Sequence, residues 1–226
     1  MESPLKKIYV ILVLLQVSHA SAQNNSYTTI RVIDAETRRG VPLVSLKTVN
    51  ERVYITDSNG VVAFNEPGLM NKEVFFHVES HGYQYPQDGF GYRGAKIETK
   101  PGSTVTLKIN RVNIAERLYR VTGQGIYRDS KRVGIPFPIK DNVPGNVLGS
   151  DSVLCEAIGN HIYWFWGDTN RVRYPLGNFH VTGARSGLIN AGGLDPDQGV
   201  EFEYFIRDDG FTKETARLAG EGLTWL

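Results

Sequence analysis

Residues 149–169 read Gly-Ser-Asp-Ser-Val-Leu-Cys-Glu-Ala-Ile-Gly-Asn-His-Ile-Tyr-Trp-Phe-Trp-Gly-Asp-Thr, which is two strand-like runs around a Gly159-Asn160 turn. A two-residue turn at this point fixes the register of an antiparallel hairpin. In that register Asp151 lies opposite Asp168 at the open end of the hairpin. Directly opposite residues in an antiparallel pair have Cβ atoms about 4.5–5.5 Å apart. The sequence therefore predicts two neighbouring carboxylates that can act on one ligand.

The same register sorts the hairpin into an apolar face and a polar face. The apolar set is Val153, Cys155, Ala157, Ile162, Trp164 and Trp166. Cys155 is therefore expected to be a packed thiol and not a nucleophile. A carboxylate at the rim of a buried face needs partners, because its desolvation is costly. The plainer alternative is that each aspartate caps a turn.

The N-terminus has the features of a secretory signal peptide over residues 1–22. Lys6 and Lys7 precede an apolar run at residues 8–17, and Ala20-Ser21-Ala22 provides a small-residue cleavage site. The apolar run is too short for a comfortable membrane span, and none is expected after cleavage. We therefore expect a secreted or periplasmic protein. A formal net charge of +1 without a basic block argues against nucleic acid as a partner.

Residues 23–111 are a series of short strand candidates separated by turn clusters, with no helical period. The candidates span residues 27–33, 43–49, 53–56, 61–64, 73–80, 96–99 and 103–110. Short strands in this number are typical of a β-sandwich. The sequence therefore predicts an N-terminal β-sandwich.

Two features of this domain leave alternatives open. His77, Glu79 and His81 would project from one strand face and could bind a metal, but alternation with apolar residues also makes that face the solvent face. Residues 82–94 are rich in glycine and aromatic residues. They either stack on a sugar or pack against the sandwich.

Residues 112–148 have the composition of a linker and crossover, with several glycines and prolines between Gly123 and Gly145. From residue 149 to residue 226 short strands with tight turns return, including candidates at residues 179–182 and 200–207. This spacing fits antiparallel β-propeller-like blades. Closure of a propeller takes at least about four blades, so this region is expected to be incomplete.

Two groups of residues resemble known families. Ile33-Asp34, Arg39-Gly40-Val41-Pro42-Leu43-Val44 and Thr56-Asp57-Ser58-Asn59-Gly60-Val61-Val62-Ala63-Phe64 together resemble the carboxypeptidase regulatory-like, or transthyretin-like, domain. That resemblance implies a non-catalytic β-sandwich of a secreted protein. Gly149-Ser150-Asp151-Ser152 and Tyr163-Trp164-Phe165-Trp166-Gly167-Asp168-Thr169 resemble the five-bladed β-propeller glycoside hydrolases of the arabinanase and levansucrase type. In that superfamily an acid of the first blade projects into the central pocket, which implies that role for Asp151.

The resemblance implies a carbohydrate-active protein, a glycoside hydrolase that acts on polysaccharide. In the pair predicted by the register, Asp151 would be the nucleophile or base and Asp168 would position it. Such hydrolysis needs a proton donor and a second carboxylate. The two carboxyl groups stand about 5–5.5 Å apart in retaining enzymes and about 6.5–9.5 Å apart in inverting ones. Adjacent aspartates are nearer to the retaining geometry.

Four further residues are candidates for substrate binding. Trp164 and Trp166 are expected to support the pocket floor, while Arg171 and Arg173 either bind a carboxylate-bearing sugar or lie on a solvated surface. One alternative is a non-catalytic carbohydrate-binding or surface-adhesion protein with a structural propeller. Another is a divalent metal such as calcium between the two aspartates. No other cofactor is expected.

Overall fold

The computed structural model describes residues 26–123, 125–140, 143–178, 180–188, 197, 199–217, 219–220 and 222. Within these residues the chain is all-β, as the sequence predicts, with one short helix and one 3-10 turn. The expected signal peptide lies outside the described residues. None of the helices described is long and apolar enough to cross a membrane.

The N-terminal region contains all seven predicted strands and one more. The strands are β1 (Thr28–Asp34), β2 (Ser45–Thr48), β3 (Val53–Ile55), β4 (Val61–Phe64), β5 (Glu73–Glu79), β6 (Tyr83–Gln84), β7 (Gly94–Glu98) and β8 (Thr104–Arg111). The additional strand is β6, whose two residues pair with the end of β8. Two residues are too few to show an alternating pattern, so β6 could not be predicted from the sequence.

These strands form two four-stranded sheets around one core. One sheet has the order β4-β1-β8-β6 and the other the order β3-β2-β5-β7. The neighbouring strands are antiparallel except β1 and β8, which are parallel. Alternation along β5 turns Val74, Phe76 and Val78 inward, where Phe76 meets Phe64 with ring centroids 5.1 Å apart. Side chains of both sheets fill this core, so the region is a β-sandwich.

The segment expected to be a linker is tied closely to the sandwich. The Arg117 guanidinium donates hydrogen bonds to the carbonyl oxygens of Pro42 and His81, each at 2.8 Å. Helix α1 (Arg128–Arg132), which the sequence analysis missed, lies beside β4. Tyr127, at its start, is almost fully buried, and burial is the main reason that its pKa rises to about 12. These contacts hold Arg117 and α1 against the sandwich.

Asp57 forms the tightest of these connections. It lies in the turn between β3 and β4 and is buried. Its carboxylate accepts hydrogen bonds from the backbone N–H groups of Asn59 (3.0 Å), Val61 (3.1 Å) and Ser130 (2.6 Å). Burial raises the pKa of Asp57, and these hydrogen bonds offset part of that rise. One carboxylate thus stabilises the turn between β3 and β4 and joins it to α1.

We predict that Asp57→Asn destabilises the protein by about 1–3 kcal/mol, because the amide nitrogen would face a backbone N–H donor. The pKa of Asp57 is raised above its ordinary 3.8, so its titration adds stability at low pH that is lost as the pH rises through the folded-state pKa. The stability advantage of the wild type should therefore be largest below pH about 4 and shrink toward neutrality. Urea unfolding across this range measures it. An advantage that grows with pH would contradict the burial argument, and exposed Asp208→Asn is the control.

The described residues of the C-terminal region form seven short strands in two small sheets. The strands are β9 (Val147–Ser150), β10 (Val153–Ile158), β11 (His161–Trp166), β12 (Thr169–Arg171), β13 (Tyr174–Asn178), β14 (Thr182–Gly187) and β15 (Glu203–Tyr204). The sheet orders are β10-β11-β14-β15 and β13-β12-β9. In the described part of the chain neither sheet closes into a barrel.

Two strand predictions in this region are wrong. The candidate at residues 179–182 falls between β13 and β14, and only Thr182 belongs to a strand; residue 179 lies outside the described residues. The alternating run at residues 200–207 forms a strand only at β15, with an isolated bridge between Ile206 and Thr212. Val200 and Phe202 lie in a local core but have no ladder partners in the described chain.

Cys155 is exposed, which corrects the expectation of a packed thiol. It lies on β10, the edge strand of its sheet, and all six residues of that strand are exposed. The predicted apolar face is present on β11, where Ile162 and Trp166 are buried. Alternation correctly predicted the apolar face of β11, but it could not show that β10 lies at the edge of its sheet.

Candidate functional site

The hairpin that positions the candidate site has the predicted register. Ile158 pairs with His161 and Val153 with Trp166. Gly159, the first residue of the turn, has a φ of 59°, which suits the type II′ turn that a two-residue hairpin loop favours. The same pairing resumes beyond the hairpin, where Ser150 of β9 lies opposite Thr169 of β12.

Asp151 and Asp168 face each other along the backbone between these two paired segments. The Asp151 N–H donates to the Asp168 carbonyl oxygen at 2.8 Å. The Asp151 carbonyl oxygen accepts a hydrogen bond from the N–H of Gly167 at 2.9 Å. A regular antiparallel pair would place the N–H of Asp168 there. Ser152 has a φ of 49°, in the left-handed region. The chain is therefore irregular here, where it passes from one small sheet to the other.

The two carboxylates have different surroundings. Asp151 is exposed, and its Oδ1 accepts the N–H of Ser152 at 2.7 Å, as in a turn cap. Asp168 is partly buried, and its Oδ1 is a buried oxygen without a hydrogen-bond partner. Of the two aspartates, Asp168 is therefore the one with unused hydrogen-bonding capacity inside the protein.

Trp164 and Trp166 are packed as core residues. Their rings stack with centroids 6.4 Å apart, and the Phe202 ring stands edge-on to both. The Trp164 indole N–H donates to Ser186 Oγ at 2.9 Å. Only 7% of Trp166 is exposed. This packing gives both rings a structural role, where the sequence predicted a pocket floor.

Arg171 and Arg173 line an open cleft of about 320 Å³, together with Asn146, Val172, Asp209 and Phe211. The Arg171 guanidinium carbon lies 4.0 Å above the centre of the Phe211 ring, which is a cation–π contact. The Nε of Arg171 is buried and has no hydrogen-bond partner. Arg173 is exposed. The sequence analysis missed Asn146 and Phe211, because they come from loops distant in sequence.

The one acidic residue among those lining the cleft is already bound. Asp209 accepts the N–H of Phe211 at 3.0 Å and forms two contacts with the Arg207 guanidinium, at 3.3 and 2.9 Å. The backbone hydrogen bond, then Arg207 and the charge of Arg171, lower the pKa of Asp209. Asp209 therefore stays ionised and leaves most of the positive charge of Arg171 and Arg173 for another group.

Strand β12 lies between two unsatisfied polar atoms. In the described part of the chain the buried side-chain N or O atoms without a partner are Asp34 Oδ2, Asp168 Oδ1 and Arg171 Nε. Two of these three belong to predicted site residues, one just before β12 and one at its end. Native proteins leave few buried polar groups unpaired, and such groups often mark functional positions. This observation makes the surroundings of β12 the best candidate site.

A larger cavity of about 530 Å³ lies elsewhere, and none of the predicted site residues lines it. Its charged lining residues are paired: Lys140 lies 3.7 Å from Glu201, and Glu203 lies 2.6 Å from Arg185. Burial raises the pKa of Tyr204 in its wall, so that phenol stays neutral. This cavity is the larger of the two, but its charged residues are paired. The cleft beside β12 is the better candidate site, because polar atoms without hydrogen-bond partners lie around it.

No metal centre is evident in the residues that the structure describes. Among them no three His, Cys, Asp or Glu side chains are grouped so that they could hold an ion. His77 makes ring contacts with Phe75 and Tyr92. The calcium alternative at Asp151 and Asp168 would therefore rest on those two carboxylates alone.

The chain was also compared with known proteins, and it matches no family model, no curated protein and no solved structure at a significant level. The two family resemblances in the sequence therefore remain proposals.

We predict that Trp166→Ala lowers the free energy of unfolding by about 3–5 kcal/mol, because it leaves a cavity in the aromatic core. Chemical unfolding followed by circular dichroism would measure the loss. Tyr174→Ala, which removes an exposed aromatic ring in the same region, is the control and should change stability little. If Trp166→Ala were as stable as the control, the ring would not be a core residue.

Proposed function

We propose that the protein is a secreted or periplasmic carbohydrate-binding protein whose ligand is an acidic saccharide held beside β12. The observation that carries this proposal is the pair of unsatisfied buried atoms, Asp168 Oδ1 and Arg171 Nε, at the two ends of one short strand. A carboxylate oxygen accepts hydrogen bonds from sugar hydroxyls, and a guanidinium N–H donates to a carboxylate. Arg171 lines the cleft and Asp168 does not, so the carboxylate of an acidic saccharide would pair with the Arg171 guanidinium.

The cleft favours an anionic sugar. Arg171 and Arg173 together outweigh the single charge of Asp209, which Arg207 already neutralises. Arg171 is held over Phe211, so less side-chain entropy is lost when it binds a ligand. Guanidinium groups pair with carboxylates through two parallel hydrogen bonds. A uronic acid unit is the saccharide that best matches this chemistry.

The proposed arrangement of the chain follows the family resemblances. The signal-like residues 1–22 support export, and the sandwich would serve as a non-catalytic module of the transthyretin-like kind. The two small sheets that follow would represent the first propeller-like blades. Their short antiparallel strands support this assignment.

Binding of oligogalacturonate, measured by calorimetry at low salt, tests the proposal. Arg171→Ala and Arg173→Ala should each weaken binding by roughly tenfold or more, which corresponds to the loss of a charge-assisted hydrogen bond of about 1.5–3 kcal/mol. Arg217→Ala, which removes an exposed arginine outside the cleft, is the matched control. Equal affinity of all three variants would refute the role of the cleft.

Glycoside hydrolysis is the second candidate function. The observation that favours it is the 2.8 Å backbone hydrogen bond that holds Asp151 opposite Asp168. Here the partly buried Asp168 would act as the proton donor and the exposed Asp151 as the nucleophile or base. The same residues would then serve both binding and bond cleavage.

Hydrolysis and binding are separated by Asp151→Asn in the protein assayed against a panel of acidic polysaccharides. An enzyme should lose turnover by several orders of magnitude and keep its affinity, because the substitution removes a reacting group and leaves the arginines intact. Reducing-end release and calorimetry measure the two quantities. Undiminished release would exclude Asp151 from the mechanism, and no release by the wild type would leave the protein a binder.

A further inference from the structure

The outer face of the sandwich carries an aromatic group that the core does not need. The rings of Phe75 and His77 on β5 lie 4.9 Å apart, and Tyr92 stands 5.8 Å from His77 and 6.5 Å from Phe75. All three contacts are edge-to-face. Tyr92 is 56% exposed. We call Phe75, His77 and Tyr92, together with the exposed Phe90 on the same loop as Tyr92, the aromatic platform.

A glycine makes room for this group. Gly94 of β7 pairs with His77, and a Cβ at Gly94 would stand 2.5 Å from Phe75 Cζ. The Phe75 ring can therefore lie over the bare backbone of β7. Any larger residue at position 94 would displace it.

The loop that presents Phe90 and Tyr92 is held in one shape. Asp88 Oδ1 accepts the N–H groups of both Phe90 and Tyr92 at 2.9 Å, and Gln87 Nε2 donates to the Gly91 carbonyl at 2.7 Å. Yet 90% of Phe90 is exposed at its tip. A well-ordered loop that keeps a phenylalanine in water is typical of a binding surface, because a preorganised loop loses little entropy when a ligand binds.

Polar groups stand beside the rings. An open cleft of about 390 Å³ is lined by His77, Glu79, Gln84, Tyr92 and Arg93, among others. Glu79 and Gln84 are exposed, whereas the Arg93 guanidinium already donates to the Tyr85 carbonyl at 2.7 Å. The cleft thus offers one carboxylate, one amide and one imidazole next to aromatic faces.

We propose that the aromatic platform is a second saccharide site, which takes a neutral sugar chain. The C–H faces of a pyranose ring are apolar and stack on aromatic rings, while its hydroxyls bond to carboxylate, amide and imidazole groups. Tyr83 and Tyr85 pack against the core of the sandwich, whereas Phe90 and Tyr92 stay exposed and are accessible to a sugar. This site is separate from the cleft beside β12 and does not depend on it.

A peptide strand is the less suitable occupant. It would add to the free edge of β7, where Lys96 and Glu98 are exposed charged residues of the kind that discourages strand pairing. The platform lies on the face of the sheet instead. Exposed rings beside polar groups match the apolar faces and hydroxyls of a sugar chain better than a peptide backbone.

The test is affinity electrophoresis of the chain in native gels that contain hydroxyethylcellulose, xylan, galactomannan or soluble starch. We expect at least one of these neutral polysaccharides to retard the wild type. Phe90→Ala and Tyr92→Ala should weaken that binding by roughly three- to tenfold each. The matched control is Ile114→Ala, which removes a fully exposed apolar residue elsewhere.

The two proposed sites can be told apart. Arg171→Ala should be retarded as strongly as the wild type, because neutral glycans bind at the platform. The three tryptophans, at positions 164, 166 and 225, all lie outside the sandwich sequence, so neutral-glycan binding should leave their emission unchanged. No retardation by any of the four glycans, or equal retardation of Phe90→Ala, Tyr92→Ala and the wild type, would overturn the platform. A protein partner bound there without any glycan would overturn it as well.

Discussion

The register of the β10–β11 hairpin is the constraint on which the C-terminal region depends. The two-residue turn at Gly159-Asn160 fixes it, and the same pairing resumes between Ser150 and Thr169. A slip by one residue would turn Trp166 away from Phe202 and move Asp168 to the other face. The aromatic core holds the register from one side, because the stacked tryptophans fit against Phe202 only in this pairing. The position of β12, and with it the candidate site, follows from this match.

The candidate site offers a fixed cation in the cleft, and an unsatisfied acid precedes the same strand. Phe211 supports the Arg171 guanidinium, and Arg207 satisfies Asp209, so the cleft keeps a positive character. Asp168 contributes an oxygen that nothing in the described chain binds. Unpaired buried polar groups lower the stability of the fold. A protein can retain them where a bound ligand supplies the missing hydrogen bond. This cost is the physical link between the fold and the proposed function.

Much of the fold could be predicted from the sequence. Alternation located the sandwich strands, and the Gly159-Asn160 turn gave the hairpin register, because both signals are local. The exposure of Cys155 could not be predicted, since it depends on which strand lies at the edge of a sheet. The role of Asp57 was also hidden: its sequence context shows a turn, whereas its partner Ser130 is far along the chain.

The site was predicted in part. The sequence indicated the backbone neighbours Asp151 and Asp168 and singled out Arg171 and Arg173. It could not show that Phe211 lies under Arg171 or that the tryptophans pack into a core, because those contacts come from residues beyond the hairpin. Hydrophobic pattern locates apolar rings but does not distinguish a core from a pocket floor.

The Arg171 Nε–H group allows the central claim to be tested most directly. Its ¹H–¹⁵N NMR signal, assigned by its loss in Arg171→Lys, can be followed while oligogalacturonate is added. The account predicts a saturable shift of this signal, since a buried donor without a partner would gain one. A signal that stays unchanged at saturating saccharide would contradict the claim that β12 is the ligand site.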